Sequence, residues 1–353
     1  MQGKLHESRE DTMKKATLRG AFASAALLGG IAIVKAQTLA DLDPPQALID
    51  AAKKEGVVML YTSMNDVNSK QLLTAFEKRY GVKGETFRAP TAPLVQRFAT
   101  EFDGSGTQAD IFSVASPLPF KKNPEWFAPL DRSFAPNLAN WPASGVHERH
   151  YTWTNEILAL AYNTEHIKPE DAPKTWAQII DPKWKGRIVL SDPRAADNYM
   201  GWLDAIEASF GIEFLRKLGT QDFKLTPSGA SGVQLVAAGS SLMNFPTIAT
   251  FATPLIDKKA PIAVLYPSEP QLASARDIAV VAKAPHPNAA RLFLNWTLSL
   301  EATKLYCSVN AVAVVGDPDG KAGCIPLKGA KEVNFEVSEE RARMLARELG
   351  LQK

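Results

Sequence analysis

Apolar and polar positions alternate in a regular order along the chain after residue 44. Segment 45–55 has apolar residues at helical spacing, and 57–61 is a nearly continuous apolar run, typical of a strand buried on both faces. The alternation continues as helix 69–80, strand 82–87, helix 93–102 and strand 109–114. Strands that alternate with helices at this spacing predict a parallel sheet with crossover helices, so the fold class is α/β.

A stretch rich in proline and tryptophan, 117–141, interrupts this pattern before it resumes. The second series predicts strand 157–162, a short amphipathic stretch at 176–180, strand 187–190, helices 198–210, 212–218 and 232–238, strand 241–244, strand 277–283 and helix 288–299. A single core stops growing near roughly 250 to 300 residues. With two such series in 353 residues, the chain is expected to form two lobes.

Residues 1–36 differ in kind from the rest of the chain. Lys14, Lys15 and Arg19 precede the apolar stretch 21–34, and Ala36 follows it closely. This order predicts a secretory signal peptide that is cleaved after Ala36. The apolar stretch is shorter than the roughly 20 residues that span a bilayer, so a permanent anchor is not expected. The mature protein is therefore expected outside the cytoplasm.

The charge balance bears on the kind of partner. The chain has 40 Lys and Arg against 38 Asp and Glu, which leaves a formal net charge of +2. It contains no basic run of the kind that follows nucleic acid or anionic lipid. The expected partners are small molecules or other proteins, and no nucleic acid.

The chain has only two cysteines, Cys307 and Cys324, in a segment that contains glycine and proline. In an oxidising compartment a disulfide between them is the expected state. The alternative is a pair of buried free thiols.

Nothing in the sequence indicates catalytic machinery. No GxSxG, HExxH or Walker motif occurs, and the five histidines are scattered. His286 precedes a predicted helix, where a capping or turn role is expected. No catalytic residue, metal or cofactor is therefore predicted, and an enzyme is the minority hypothesis.

Several longer motifs resemble one known family. They are AYNT at 161–164, the frame of Pro173, Trp176 and Ile180, DPKWKGRI at 181–188 and APHPNAARLFLNWTLSLEA at 284–302. Together they resemble the periplasmic solute-binding proteins of ABC importers, in the group that binds ferric iron, phosphonates and organic anions. The resemblance covers nearly the whole mature chain in order.

This resemblance implies a bilobal type II periplasmic-binding-protein fold, with two doubly wound mixed sheets joined by a two-crossing hinge. It implies residues 37–155 and 265–305 in lobe 1, and 156–264 and 306–353 in lobe 2. The lobes would close on a ligand. A monomer would then deliver the ligand to an ABC permease in the inner membrane, served by its ATPase. A sensor that presents the ligand to a membrane receptor is an alternative.

Polar residues that follow strands are the candidate ligand contacts, because open α/β sheets bind ligands at the carboxyl ends of their strands. The candidates are Thr62, Ser63 and Asn65; Ser113 and Ser116; Ser191, Asp192, Arg194, Asp197 and Tyr199; Ser228 and Ser231; and Asn244, Phe245 and Tyr266. For most of them the alternative is helix capping or turn chemistry.

Two of these candidates bear on the ligand. Arg194 can hold a carboxylate, phosphonate or phosphate through two parallel hydrogen bonds, and Asp192 or Asp197 can meet an amine on the same ligand. Alternatively, Arg194 and Asp197 simply form a surface pair. The ligand is therefore expected to be a small organic anion.

Phe245 lies where ferric binders of the resembled family have adjacent tyrosines. A phenyl ring offers no oxygen to Fe(III), which argues against an iron site. Phe245 instead suits the apolar body of an organic ligand, or it is a core residue. A ferric-iron binding protein of the same family remains the alternative function.

Overall fold

The computed structural model describes residues 41–104, 106–309, 313–317, 319–326 and 329–351. The expected signal peptide, residues 1–36, lies outside the described residues. Among the described helices, none has both the length and the apolar character needed to cross a bilayer.

The described strands and helices follow the α/β pattern of the sequence. The strands are β1 (Val57–Thr62), β2 (Lys83–Arg88), β3 (Ile111–Val114), β4 (Tyr151–Asn163), β5 (Ile188–Ser191), β6 (Lys224–Thr226), β7 (Met243–Ile248), β8 (Ile262–Leu265), β9 (Leu272–Val280), β10 (Ala313–Val314) and β11 (Lys331–Glu332). The helices are α1 (Gln46–Glu55), α2 (Asp66–Tyr80), α3 (Thr91–Asp103), α4 (Leu118–Lys122), α5 (Asp197–Phe210), α6 (Ile212–Gly219), α7 (Gly229–Ala237), α8 (Ala249–Asp257), α9 (Pro287–Thr297), α10 (Leu300–Val309) and α11 (Glu339–Glu348).

Eight of the eleven described strands form one path through both lobes, in the order β2-β1-β3-β9-β4-β7-β5-β6, and β8, β10 and β11 pair beside it with β4 or β9. β1 is parallel to β2 and β3, and β9 is antiparallel to β3 and β4. In the other half, β5 is parallel to β6 and β7. Each half therefore combines parallel strands with antiparallel ones, as expected for doubly wound mixed sheets.

The strand β4 joins the two halves. Its first part, as far as Ile157, pairs with β9, whereas its second part, from Leu158 to Asn163, pairs with β7 and β8. The sequence predicts only the second part as a strand. The first part is not predicted because the polar residues Thr154, Asn155 and Glu156 interrupt the apolar run that indicates a buried strand.

Each half-sheet is covered by helices on both faces. In the first half, Phe76 of α2 packs with Phe293 and Trp296 of α9, and Phe98 of α3 packs on the opposite side of the sheet. In the second half, a core containing Trp202 of α5 lies on one face, and a smaller cluster with Val233 of α7 lies on the other. Each lobe therefore has a hydrophobic cluster on both faces of its half-sheet.

The segment after residue 305 differs from the expected lobe boundary. Tyr306, Cys307, Val314 and Cys324 pack in the core of the first lobe, and β10 pairs with the first part of β4. Cys307 and Cys324 form a disulfide that fastens this segment to α10.

The chain turns to the second lobe only after this segment, so Tyr306, Cys307, Val314 and Cys324 belong by packing to lobe 1 instead of lobe 2. β11 runs beside the start of β9, with Lys331 opposite Leu272. Val333 and Phe335 then pack in the core of the second lobe. The passage of the C-terminal segment to the second lobe, expected at 305/306, therefore comes after Cys324 and before Val333.

Candidate ligand-binding site between the lobes

A small cavity lies between the lobes where several strands end. Ser63 follows β1, Arg88 ends β2 and Ala115 follows β3, while the opposite wall comes from the starts of α5 and α7. The lining residues are Ser63, Arg88, Pro90, Thr91, Ala115, Ala196, Asn198, Tyr199, Pro227 and Ser228. The cavity therefore sits at the carboxyl ends of parallel strands, where the sequence predicts the ligand site.

Three helices begin at this cavity. The first residue of α3 is Thr91, and α5 and α7 begin directly after Ala196 and Ser228. The N-terminus of a helix carries unpaired amide hydrogens and a partial positive charge. Helices from both lobes therefore make the cavity favourable for an anion.

Arg88 supplies a full positive charge to the same cavity. Its Nε donates a 3.4 Å hydrogen bond to the carbonyl oxygen of Met64, and it makes no ion pair within the described residues. Burial lowers the pKa of the Arg88 guanidinium from its usual value. An arginine stays protonated in proteins, so this buried charge calls for an anionic partner. Arg88 is not among the candidates named from the sequence, although it directly follows the predicted strand 82–87.

Tyr199 presents a neutral hydroxyl to the cavity. Its oxygen accepts a 2.8 Å hydrogen bond from the backbone N–H of Gly229. Burial raises the pKa of this phenol above its usual value, so the hydroxyl keeps its proton. Since the oxygen already accepts one bond, the proton is available for a ligand.

Asn198 lies beside Tyr199 on α5 and is 5% exposed. Within the described structure, its buried Oδ1 has no hydrogen-bond partner. A buried polar atom of this kind costs free energy unless a ligand or water satisfies it. Asn198 is a second contact that the sequence did not single out.

The hydroxyl of Ser63 accepts a hydrogen bond from the arginine of a buried ion pair. Nη1 of Arg276 donates a 3.1 Å hydrogen bond to Ser63 Oγ, and Nη2 lies 3.2 Å from Glu156 Oε2. Arg276 and Glu156 are each 1% exposed and belong to β9 and β4, the strands beside the lobe boundary. The arrangement links the orientation of Ser63 to the hinge strands.

Several other predicted residues connect the lobes or shape turns. Ser116 Oγ donates a 2.7 Å hydrogen bond to Asp197 Oδ2 across the cleft. Asn65 caps α2, and its Nδ2 donates to the Thr250 carbonyl oxygen in the other lobe. Thr62 Oγ1 accepts from the Met64 N–H within a turn.

The remaining serines lie at or near the ends of elements. Ser228 caps α7 by accepting a 3.3 Å hydrogen bond from the Ser231 N–H, so capping and cavity lining coincide here. Ser113 is fully buried in β3, and its Oγ has no partner among the described residues. Ser191 Oγ accepts from Asn244 Nδ2 at 3.3 Å inside the second lobe. Asn244 and Tyr266 do not line the cavity.

Phe245 does not face the ligand cavity. Its ring is fully buried in the core of the second lobe, with centroids 5.9 Å from Trp202 and 6.3 Å from Trp176. The hypothesis that Phe245 packs on the ligand is therefore wrong. Strand alternation explains the error, because adjacent residues of β7 point to opposite faces of the sheet.

Arg194 also lies away from the cavity. Its Nη2 is 2.7 Å from Asp192 Oδ2, and its side chain is 45% exposed. Nη1 donates a 3.3 Å hydrogen bond to the carbonyl oxygen of Leu351. Arg194 forms a surface pair with Asp192 instead of lining the cavity. The alternative surface pair with Asp197 is absent from the described contacts.

Comparisons with known proteins agree with this architecture. The profile of the family described as bacterial extracellular solute-binding protein matches residues 63–304. The chain therefore belongs to this family. Its fold is that of type II periplasmic binding proteins. It resembles a substrate-binding protein of an ABC transporter from Agrobacterium tumefaciens, with a TM-score of 0.74 at 16% identity over 84% of this chain and 94% of that one.

Two relatives differ in the ligand for which they are named. A periplasmic protein of Salmonella typhimurium, named for binding 2-aminoethylphosphonate, is 25% identical over 65% of this chain and 68% of its own length. Iron uptake protein A1 of Synechocystis is 23% identical over 42% of this chain and 41% of its own length. Members of the family are solute-binding proteins that bind small molecules outside the cytoplasm and work with ABC permeases; they are not enzymes.

Proposed function

We propose that this protein captures a small organic anion in the interlobe cavity and delivers it to a membrane permease from the periplasm. The observation that carries the proposal is the lone guanidinium of Arg88 in a cavity with no acidic lining residue. The starts of α3, α5 and α7 add to the positive potential there.

An anion in this cavity would accept hydrogen bonds from polar groups of both lobes. Arg88 and Ser63 belong to the first lobe, whereas Tyr199 and Ser228 belong to the second. A guanidinium binds a phosphonate, phosphate or carboxylate through two parallel hydrogen bonds. Because a ligand stabilises the closed form only by contacting both lobes, this division of donors favours capture by closure.

The head group is best supplied by a phosphonate, a sugar phosphate or a carboxylate. The Salmonella typhimurium relative is named for a phosphonate that also carries an amine. Of the two acidic residues expected to meet an amine, Asp192 pairs with Arg194. Asp197 lines the adjoining groove, but its carboxylate already accepts a hydrogen bond from Ser116, which weakens the case for an amine on the ligand.

Ferric iron is the second candidate, because one relative is named for iron uptake. Tyr199 offers a phenol to the cavity, but its raised pKa opposes the phenolate that Fe(III) prefers. Within the described residues, no group of three or more His, Cys, Asp and Glu side chains is arranged to hold a metal ion. The donors therefore favour the organic anion.

A thermal-shift panel tests the proposal with methylphosphonate, 2-aminoethylphosphonate, fructose 6-phosphate, succinate and ferric citrate as probes. A ligand at about 100 times its Kd adds roughly 2.7 kcal/mol to the free energy of unfolding. Arg88→Ala is expected to weaken binding of the stabilising anion by about 2 kcal/mol or more, which is about thirtyfold in Kd.

Arg194→Ala is the matched control, since it removes an arginine that pairs on the surface. Titration calorimetry on the two variants should give a weakened Kd for Arg88→Ala and a Kd near that of the parent protein for Arg194→Ala. An equal loss of affinity in both variants would contradict the assignment of Arg88 as a ligand contact. Stabilisation by ferric salts alone would contradict the organic-anion proposal and indicate ferric iron as the ligand.

A further inference from the structure

We infer that the ligand carries an apolar substituent, which lies in a groove that adjoins the anion cavity. The inference rests on the proposed function, because it takes the charged head of the ligand to be held at Arg88. It narrows the ligand class to amphipathic organic anions such as alkyl or aryl phosphonates and carboxylates.

The groove adjoins the cavity. Thr91 and Ala196 line both of them, one residue from each lobe. The cavity has a volume of about 20 Å³, whereas the groove has about 410 Å³. A space of about 10 to 15 Å³ admits one water molecule. The inner cavity therefore has room for little more than part of a head group, and the rest of any organic ligand must extend into the groove.

The walls of the groove are mainly apolar. Val95 and Ala99 of α3 form one side, and Leu118 and Pro119 of α4 form another. An apolar lining with a few polar groups is typical of sites for organic ligands. The bound solute would cover this surface and remove it from water.

The cavity and the groove differ in the charges of their lining residues. The cavity holds the cation of Arg88, whereas the charged lining residues of the groove are Lys122 and Asp197, of opposite sign. The Asp197 carboxylate already accepts a hydrogen bond from Ser116. A ligand with an anionic head and a neutral tail matches this division. An inorganic anion or a bare metal ion would leave the groove unused.

The test uses two probe series, alkylphosphonates and alkylcarboxylates, each from the methyl to the butyl member. Burial of one methylene is worth about fourfold in Kd when it is complete. Titration calorimetry is expected to give a two- to fourfold lower Kd for each added methylene in at least one series. 2-Aminoethylphosphonate, which resembles propylphosphonate in length, is expected to bind more weakly than propylphosphonate.

Val95→Asn places an amide on the groove wall and should flatten the dependence of Kd on chain length. The control is Ile256→Asn, which changes an aliphatic residue of α8 that is 39% exposed and outside the groove. It should keep the chain-length dependence of the parent protein.

The outcomes separate the two proposals. Absence of binding across both series would overturn the proposed function together with this inference. Binding of the methyl member with no gain from longer chains would overturn only the inference. Tighter binding of 2-aminoethylphosphonate than of propylphosphonate would assign the groove to an ammonium group near Asp197 and would also overturn it. The inference would also be overturned if Val95→Asn altered self-association in gel filtration but left the dependence of Kd on chain length intact.

Discussion

At the scale of single residues, the surroundings of a side chain decide what its chemistry is used for. Arg194 and Arg88 are the same residue type, but Asp192, two positions away, pairs with Arg194. Arg88 lines the cavity and forms no ion pair among the described residues, although the nearby Asp66 carboxylate acts to raise its pKa. A nearby opposite charge satisfies a guanidinium locally and leaves no attraction for a ligand. Arg88 is therefore the residue on which anion binding is expected to depend.

The fully buried ring of Phe245 leads to a prediction about stability. Phe245→Ala removes a ring that packs on Trp176 and Trp202, and we expect a loss of about 3 to 5 kcal/mol in the free energy of unfolding. Urea unfolding measures the loss, and Ile256→Ala at an exposed site is the control. Weakened anion binding with unchanged stability would return Phe245 to the ligand site.

The buried pair of Arg276 and Glu156 allows a sharper test. Glu156→Leu leaves the Arg276 charge buried without its partner, so we expect a loss of about 3 to 5 kcal/mol. The double variant Glu156→Leu with Arg276→Met removes both charges and should be more stable than the single variant. Chemical denaturation of the two variants decides this, and equal or greater damage in the double variant would refute the explanation.

At the scale of elements, the predicted helices and strands are found where apolar spacing is strong. Helix α3 was expected at 93–102 and runs from Thr91 to Asp103, and α6 was expected at 212–218 and runs from Ile212 to Gly219. The helices α4, α8, α10 and α11 were not predicted. α8 contains an internal proline, which is unusual inside a helix, and α11 consists mostly of charged residues with few apolar ones.

The disulfide between α10 and the following segment should increase the free energy of unfolding mainly by reducing the conformational entropy of the unfolded chain. It closes a loop with a sequence separation of 17 residues, which corresponds to about 3 kcal/mol in a chain-entropy estimate. Cys307→Ser with Cys324→Ser is expected to lower the unfolding free energy by that amount, as measured in urea. Reduction of the parent protein should give a similar loss, and no loss in either case would rule out a stabilising role.

At the scale of the whole molecule, several polar contacts join the two lobes. Ser116 bonds to Asp197, Asn65 bonds to Thr250, and Lys121 pairs with Glu336 at 3.2 Å. The third of these pairs is exposed and is expected to contribute little. The balance between open and closed forms should therefore respond to the ligand and to the two hydrogen bonds between the lobes.

Closure is measurable in solution. Ser116→Ala removes the donor to Asp197, so the unliganded variant should show a larger radius of gyration by small-angle X-ray scattering than the unliganded parent protein. A saturating anion should return it to the compact form, because the ligand contacts both lobes. Ser209→Ala is the control, since Ser209 bonds within its own helix. Identical scattering of Ser116→Ala and the parent protein without ligand would argue against this contact as a latch.

The sequence by itself determined the α/β class, the order of most elements, the family resemblance and the cysteine pair. These features depend on local spacing and on motifs that are contiguous in the chain. Only the tertiary structure decided which polar residues meet, because Arg88, Tyr199 and Ser228 come together through the pairing of distant strands and the facing of two lobes. It also decided that Phe245 points into the core and that Arg194 is neutralised, since the face of a strand and the reach of a neighbouring carboxylate depend on the folded backbone.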